Sequence, residues 1–66
     1  MLEIKCNGEQ KKVAAQNLEQ LLLELDIKDK KVAIELNQAI IPRDKYIQTS
    51  LSNGDSIEIV HFVGGG

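Results

Sequence analysis

The chain of 66 residues is long enough for one small domain and too short to enclose a deep substrate cavity with its own residues. Ten acidic residues against eight basic ones give a formal net charge of -2, which argues against a nucleic acid or an anionic membrane as the main partner. A single cysteine excludes an intramolecular disulfide, and no apolar run approaches the ~20 residues of a membrane span. We therefore expect a reduced, cytoplasmic, single-domain protein.

The start of the chain predicts a β-hairpin. Residues 2–6 alternate apolar and charged side chains, which is the period of a strand with one buried face. Asn7-Gly8 follows, a strong signal for a tight turn because both residue types tolerate positive φ. Residues 9–13 are mostly polar, so we expect them to return as an edge strand.

The next segment predicts one amphipathic helix. Asn17 is a plausible N-cap, and Gln20 stands at the position that completes a variant of the capping box. The helix is expected to end near residues 25–27, before a charged connection. Its apolar stripe follows the i, i+3, i+4, i+7 spacing and consists of Leu18, Leu21, Leu22 and Leu25.

The second half of the chain predicts three further strands: 32–36, 39–41 and 56–63. Pro42 ends the middle one because it has no N–H for the ladder. Residues 43–53 are expected to be irregular, with a short helical turn and with Tyr46 and Leu51 as their apolar anchors.

One helix can bury the apolar faces of four or five strands only if these strands form one sheet curled around it. The sheet should be mixed, because the first hairpin and the later strands are separated by the helical crossover. We therefore predict an α+β fold of the β-grasp, or ubiquitin-like, architecture, with the domain at residues 1–63 and a flexible glycine tail at residues 64–66.

The tail is the segment that suggests chemistry. The last predicted strand runs directly into Gly64, Gly65 and Gly66. Glycine has no Cβ, so such a segment can thread a narrow channel and leaves a terminal carboxylate sterically open. A carboxylate resists nucleophiles until one oxygen becomes a good leaving group, and adenylation by ATP supplies that group. The tail therefore predicts an acyl-carrying arm that is presented to other enzymes.

Two segments resemble a known family. Asn37 to Tyr46 contains an Asn turn and a strand ending in Pro-Arg, with an aromatic residue three positions after the arginine. Asn53 to Gly66 contains a Gly-Asp turn and an Ile-Glu-Ile-Val strand that closes on glycines. Together they resemble the ThiS family, the sulfur carrier proteins of thiamine biosynthesis. Tyr46 stands where that family often has tryptophan.

The resemblance implies that Gly66 is adenylated by an ATP-dependent, ubiquitin-activating-like adenylyltransferase of the ThiF type. The acyl-adenylate then becomes a thiocarboxylate, whose sulfur passes to a thiazole synthase of the ThiG type. The chain would be a co-substrate and not an enzyme. It would bind no cofactor itself, since ATP and metal would bind to the activating partner.

The residues expected to meet these partners lie at the end of the chain. Gly64, Gly65 and Gly66 would thread into partner active sites. If Ile57 and Ile59 face the helix, the alternation places a second set on the outer face of the sheet as a hypothetical partner interface: Glu58, Val60 and Phe62.

Other functions remain open at this point. The glycine end is shared with ubiquitin-like protein modifiers and with the sulfur carrier of molybdopterin synthesis. A β-grasp binding module with no covalent chemistry is the third alternative, and in it the glycines would have no function. Cys6 shares the apolar face of its strand and is expected to be a buried hydrophobe. His61 has no second ligand at metal-binding spacing, so we predict no metal site.

Overall fold

A computed structural model describes residues 1–28 and 31–61 of the chain. The elements follow one another in the predicted order, with a short 3₁₀ helix at Arg43–Lys45 before the last strand. Their bounds are β1 Leu2–Cys6, β2 Glu9–Val13, α1 Leu18–Glu24, β3 Val32–Leu36, β4 Ala39–Ile41 and β5 Ser56–His61. Phe62, Val63 and the predicted tail Gly64–Gly66 lie outside the described residues.

The five strands form one mixed sheet in the order β2-β1-β5-β3-β4. Two antiparallel hairpins, β1–β2 and β3–β4, make its two sides. The last strand enters between them, antiparallel to β3 and parallel to β1. The prediction of a mixed sheet wrapped on one helix is confirmed, and the fold class is the predicted α+β β-grasp.

Helix α1 covers one face of the sheet. Its leucine stripe points inward as predicted, with Leu18, Leu21 and Leu22 buried and Leu25 partly buried. The inward residues of the strands meet these leucines, because alternate side chains of a strand share one face. The remaining buried members of this core are Ile4, Cys6, Val13, Ala15, Val32, Ile34, Tyr46, Leu51, Ile57 and Ile59.

Helix α1 has only seven residues and is too short to be stable alone, so side-chain contacts hold it in place. Asn17 is the N-cap, and its Oδ1 accepts a hydrogen bond from the Gln20 backbone N–H at 2.8 Å. The Gln20 side chain does not complete the reciprocal bond to the cap residue; it accepts from the Gln16 N–H one residue earlier, at 2.9 Å. At the other end Glu24 accepts from the Ala15 N–H at 2.8 Å, which ties the helix back to the loop after β2.

The segment between β4 and β5 closes the open end of the core. Tyr46 is buried, and the guanidinium of Arg43 lies 5.3 Å from the centre of its ring. The Leu51 N–H donates to the Gln16 carbonyl at 2.9 Å, so the segment runs beside the start of the helix. Tyr46 and Leu51 are thus the apolar anchors that their positions predicted.

Both hairpin turns use residues with positive φ. In the β1–β2 turn, Asn7 has φ 51° and Gly8 has φ 85°. In the β3–β4 turn, Asn37 has φ 51° and Gln38 has φ 74°. Left-handed backbone is easy for glycine and strained for glutamine. Gln38 in the second turn is therefore strained, whereas Gly8 at the corresponding position of the first turn is not.

We predict that Gln38→Gly stabilises the protein by about 1 kcal/mol, because it removes the cost of a left-handed glutamine. Chemical denaturation monitored by circular dichroism measures the change. Gly8→Ala is the matched control: a Cβ at Gly8 meets no atom within 4 Å, so its expected loss of stability is purely conformational. An unchanged or lowered stability of Gln38→Gly would contradict the assignment of strain.

Candidate functional site

The strand that leads to the predicted tail is the central strand of the sheet. From Ile57 to its last described residue β5 is paired with β3, starting at the Ile57–Leu36 pair and ending at the His61–Val32 pair. Its first residues also pair with β1, through Lys5–Ser56 and Cys6–Ile57. The start of β5 therefore has ladder partners on both sides, and its last described residue, His61, is paired with β3.

Asn37 anchors the start of β5. Its Oδ1 accepts from the Ser56 N–H at 2.9 Å, and its own N–H donates to the Ser56 carbonyl at 2.7 Å. Its Nδ2 donates to the Asp55 carboxylate at 3.1 Å. The β3–β4 turn is therefore bound to the turn that precedes β5.

Asn7 anchors the middle of β5 where the main chain of β1 can no longer do so. The Asn7 N–H donates to the Ile57 carbonyl at 2.9 Å, after which β1 turns away. The side-chain amide then takes over: the Ile59 N–H donates to Asn7 Oδ1 at 2.7 Å, and Asn7 Nδ2 donates to the Ile59 carbonyl at 3.3 Å. This amide acts as one more peptide group of the strand. The sequence assigned Asn7 only to the turn, because nothing local reveals which strand lies beside it.

The two faces of β5 differ as the alternation predicted. Ile57 and Ile59 point into the core, while Glu58 is exposed and Val60 is 50% exposed on the outer face. The structure thus places Glu58 and Val60 side by side on that face. Their role as a partner interface stays a prediction, and Phe62, the third member of the set, lies outside the described residues.

The side chains with reactive atoms do not form a catalytic site in residues 1–28 and 31–61. Cys6 is buried in the core, and its burial raises the pKa of the thiol above the ordinary value of 9.0. A buried, protonated thiol is a poor nucleophile. His61 is exposed at the end of β5, and no group of three His, Cys, Asp or Glu residues in these ranges could hold a metal ion.

A shallow pocket lies far from the end of β5. It is lined by Met1, Leu2, Ala14, Gln16, Ser50 and Leu51. Leu2 lies three residues before the Lys5–Ser56 pair and His61 lies five residues after it. At about 3.3 Å per residue along parallel strands, roughly 25 Å separate them. The pocket therefore does not belong to the candidate site at the end of the chain.

No helix in the described part of the chain is long and apolar enough to span a bilayer. The predicted chemistry depends on Gly64–Gly66, which come after His61 with Phe62 and Val63 between and lie outside the described residues.

Comparison with known proteins gives a consistent result. The model of the ThiS family matches residues 4–66. The sulfur carrier protein ThiS of Bacillus subtilis is 36% identical over 66 residues, which cover both chains completely. The sulfur carrier protein ThiS of Escherichia coli is 34% identical over 53 residues, which cover 80% of each chain.

A thiazole synthase of Paramagnetospirillum magneticum is 41% identical over 66 residues. The match covers 98% of this chain, which spans only about one fifth of the length of that relative. Among solved structures, a thiamine biosynthesis protein (ThiS) of Geobacter metallireducens superposes with a TM-score of 0.86 and 29% identity, covering 98% of this chain and 100% of the other.

We predict that Asn7→Gly destabilises the protein by about 1–2 kcal/mol, because it leaves the N–H of the buried Ile59 without its acceptor. Glycine keeps the positive φ of this position, so the loss reports the side-chain hydrogen bonds and not backbone strain. Hydrogen exchange of the Ile59 amide, measured by NMR, should become faster in Asn7→Gly as the protein loses stability. Asn7→Asp is the matched control: it keeps the acceptor for the Ile59 N–H and should retain part of the protection. Equal protection in wild type and Asn7→Gly would contradict the anchoring role.

We predict that Cys6 contributes to unfolding at alkaline pH. The folded protein holds the thiol proton at pH values where the unfolded chain has lost it, so stability falls as the pH rises above about 9. Cys6→Ala should lose about 1 kcal/mol at pH 7 through reduced packing, and its stability should decline less between pH 8 and 10. Lysine and tyrosine titrations are common to both proteins, so the difference in slope isolates the thiol. Parallel stability–pH curves would contradict the prediction.

Proposed function

Since this chain belongs to the ThiS family, we propose that it is a sulfur carrier protein of thiamine biosynthesis and that its carrying group is the α-carboxylate of Gly66. The single observation that carries the proposal is the family match, which runs to residue 66 and thus includes the glycine tail. The geometry supports it, because the preceding strand is the anchored central strand of the sheet.

The proposed chemistry has two steps. First, an oxygen of the Gly66 carboxylate attacks the α-phosphorus of ATP, so that an acyl-adenylate forms and pyrophosphate leaves. Next, a sulfur nucleophile supplied by the activating system attacks the acyl carbon and AMP leaves. When this nucleophile is the terminal sulfur of a persulfide, a second thiol attacks the donor sulfur of the resulting acyl disulfide, so that the S–S bond breaks, a disulfide forms on the donor and Gly66 keeps a thiocarboxylate. Sulfur is more nucleophilic than oxygen, so this end can donate its sulfur to a carbon electrophile.

The chain supplies a substrate and not a catalyst in this scheme. We infer that ATP binds to a ThiF-type adenylyltransferase and that the sulfur acceptor is a ThiG-type thiazole synthase. The second partner is supported by relatives named thiazole synthase that contain a segment matching 98% of this chain. The proposed compartment is the cytoplasm, where ATP is available and a lone thiol stays reduced.

Chain length sets a limit on how far the carried group can reach. Gly66 lies five positions after His61, the last residue of β5. Fully extended chain spans at most about 3.3–3.6 Å per residue, so the carboxylate can lie at most about 18 Å from the end of the sheet. When the domain is bound, the reactive centre of a partner must therefore lie within about 18 Å of the end of β5.

We predict that extending the chain by one alanine after Gly66 abolishes sulfur loading without unfolding the domain, because the glycine carboxylate becomes an amide. The protein is incubated with the activating enzyme, ATP and a sulfur donor, and intact-mass spectrometry is expected to show one oxygen replaced by sulfur in the unextended chain only. A variant with one alanine added before Met1 is the matched control and should load normally. Loading of the extended variant would contradict the assignment of Gly66.

The same measurement separates the remaining functions. Conjugates to lysine side chains would indicate a ubiquitin-like modifier instead of a sulfur carrier. A carboxylate that stays free with cognate activating enzyme and ATP would indicate a binding module with no covalent chemistry.

A further inference from the structure

The outer face of the sheet, opposite the helix, has two halves of different character. On the β1–β2 half, Glu3 lies directly opposite Lys12, so opposite charges face each other across the ladder. On the β5–β3–β4 half, Glu58 lies directly opposite Glu35. Like charges in directly opposed positions destabilise a sheet, whereas opposite charges stabilise it. The directly opposed charges therefore attract each other on the β1–β2 half and repel each other on the β5–β3–β4 half.

No ion pair found among residues 1–28 and 31–61 involves the two glutamates. The ion pairs found there are Lys11–Glu9 and Lys28–Asp26, and neither involves Glu35 or Glu58. Directly opposed residues have Cβ atoms about 4.5–5.5 Å apart, so one guanidinium or ammonium group placed between the two carboxylates would contact both.

Apolar side chains border the acidic pair on the same face. Ile40 on β4 lies opposite Glu35 and is 73% exposed. Val60 follows Glu58 on the same face of β5, lies opposite Ala33 and is 50% exposed. An acidic centre with an apolar border matches a protein surface that carries a basic side chain among apolar ones, and it does not match an anionic ligand.

From this pairing we propose that the β5–β3–β4 half of the outer face, defined by Glu35, Glu58, Val60 and Ile40, docks thiazole synthase through a basic side chain that binds between the two glutamates. The inference rests on the proposed carrier function and adds to it the docking surface and its charge.

Two observations favour thiazole synthase as the occupant. Relatives of that name contain this domain within one longer chain, which keeps a β-grasp unit and a synthase together. In addition, two of the four residues belong to β5, the strand that leads to the tail. A synthase that docks on this surface therefore lies within reach of the tail.

The test measures binding and stability of the same variants. Glu58→Gln and Glu35→Gln are each expected to weaken binding to the cognate thiazole synthase about tenfold, because each removes a carboxylate from the basic side chain. Each should also raise the melting temperature of the free carrier by roughly 2–5 °C, because the like-charge repulsion is gone. A merely structural role would lower both quantities together, so opposite signs identify the docking role.

Charge reversal sharpens this result. Glu35→Lys creates an opposed pair with Glu58, so the free carrier should become more stable while binding falls at least a hundredfold. Glu3→Gln is the matched control on the β1–β2 half. It removes a charge from a balanced pair, so binding should stay unchanged while stability stays constant or falls slightly.

The apolar border has its own control pair. Ile40→Ser should weaken binding several-fold, whereas Leu23→Ser on the outward side of α1, where Leu23 is 69% exposed, should have no effect.

The inference is overturned if the glutamate variants bind thiazole synthase as tightly as wild type, or if the wild-type carrier does not bind it at all. Formation of the Gly66 thiocarboxylate by the activating enzyme is measured separately by mass. Failure of the docking surface is therefore distinguishable from failure of the carrier function.

Discussion

The parallel contact between β5 and β1 is the interaction on which the rest of the structure depends. It has only two paired positions in its ladder, Lys5–Ser56 and Cys6–Ile57, and the side-chain amide of Asn7 extends it to Ile59. Without it the sheet would separate into the β1–β2 hairpin and a three-stranded remainder. An isolated hairpin is at best marginally stable in water. The short contact therefore joins the two ends of the chain and completes the surface that helix α1 covers.

That arrangement gives the two faces of the sheet separate roles. The inner face and α1 share one apolar core, and residues 46–51 close its open end. In the described part of the chain no helix lies against the outer face, so this face is available for contact with another protein. A domain of this size has few surfaces to offer, and the face beside the strand that leads to the tail is the one best placed to combine docking with presentation of the tail.

The chemistry of a carrier also constrains its side chains. A reactive thiol near an activated carboxylate would compete for the acyl group, and the fold keeps the one thiol buried and protonated in the core. In the proposed function the compact sheet and the reactive end are separate parts of the chain: the sheet would dock the partner, and the glycine end would carry the sulfur.

The sequence by itself determined the order of the elements, and it is the source of the prediction that the glycine end carries the chemistry. Alternation in residues 2–6, the Asn7-Gly8 turn and the Asn17 cap are local signals, since each depends on neighbours a few residues away. The same holds for the glycines that follow β5. Only the tertiary structure decided that β5 enters between β1 and β3, that Asn7 bonds to Ile59, and that Glu35 faces Glu58. These pairs are separated by more than 20 residues, and the register between distant strands follows from how the whole core packs, for which no local pattern carries a signal.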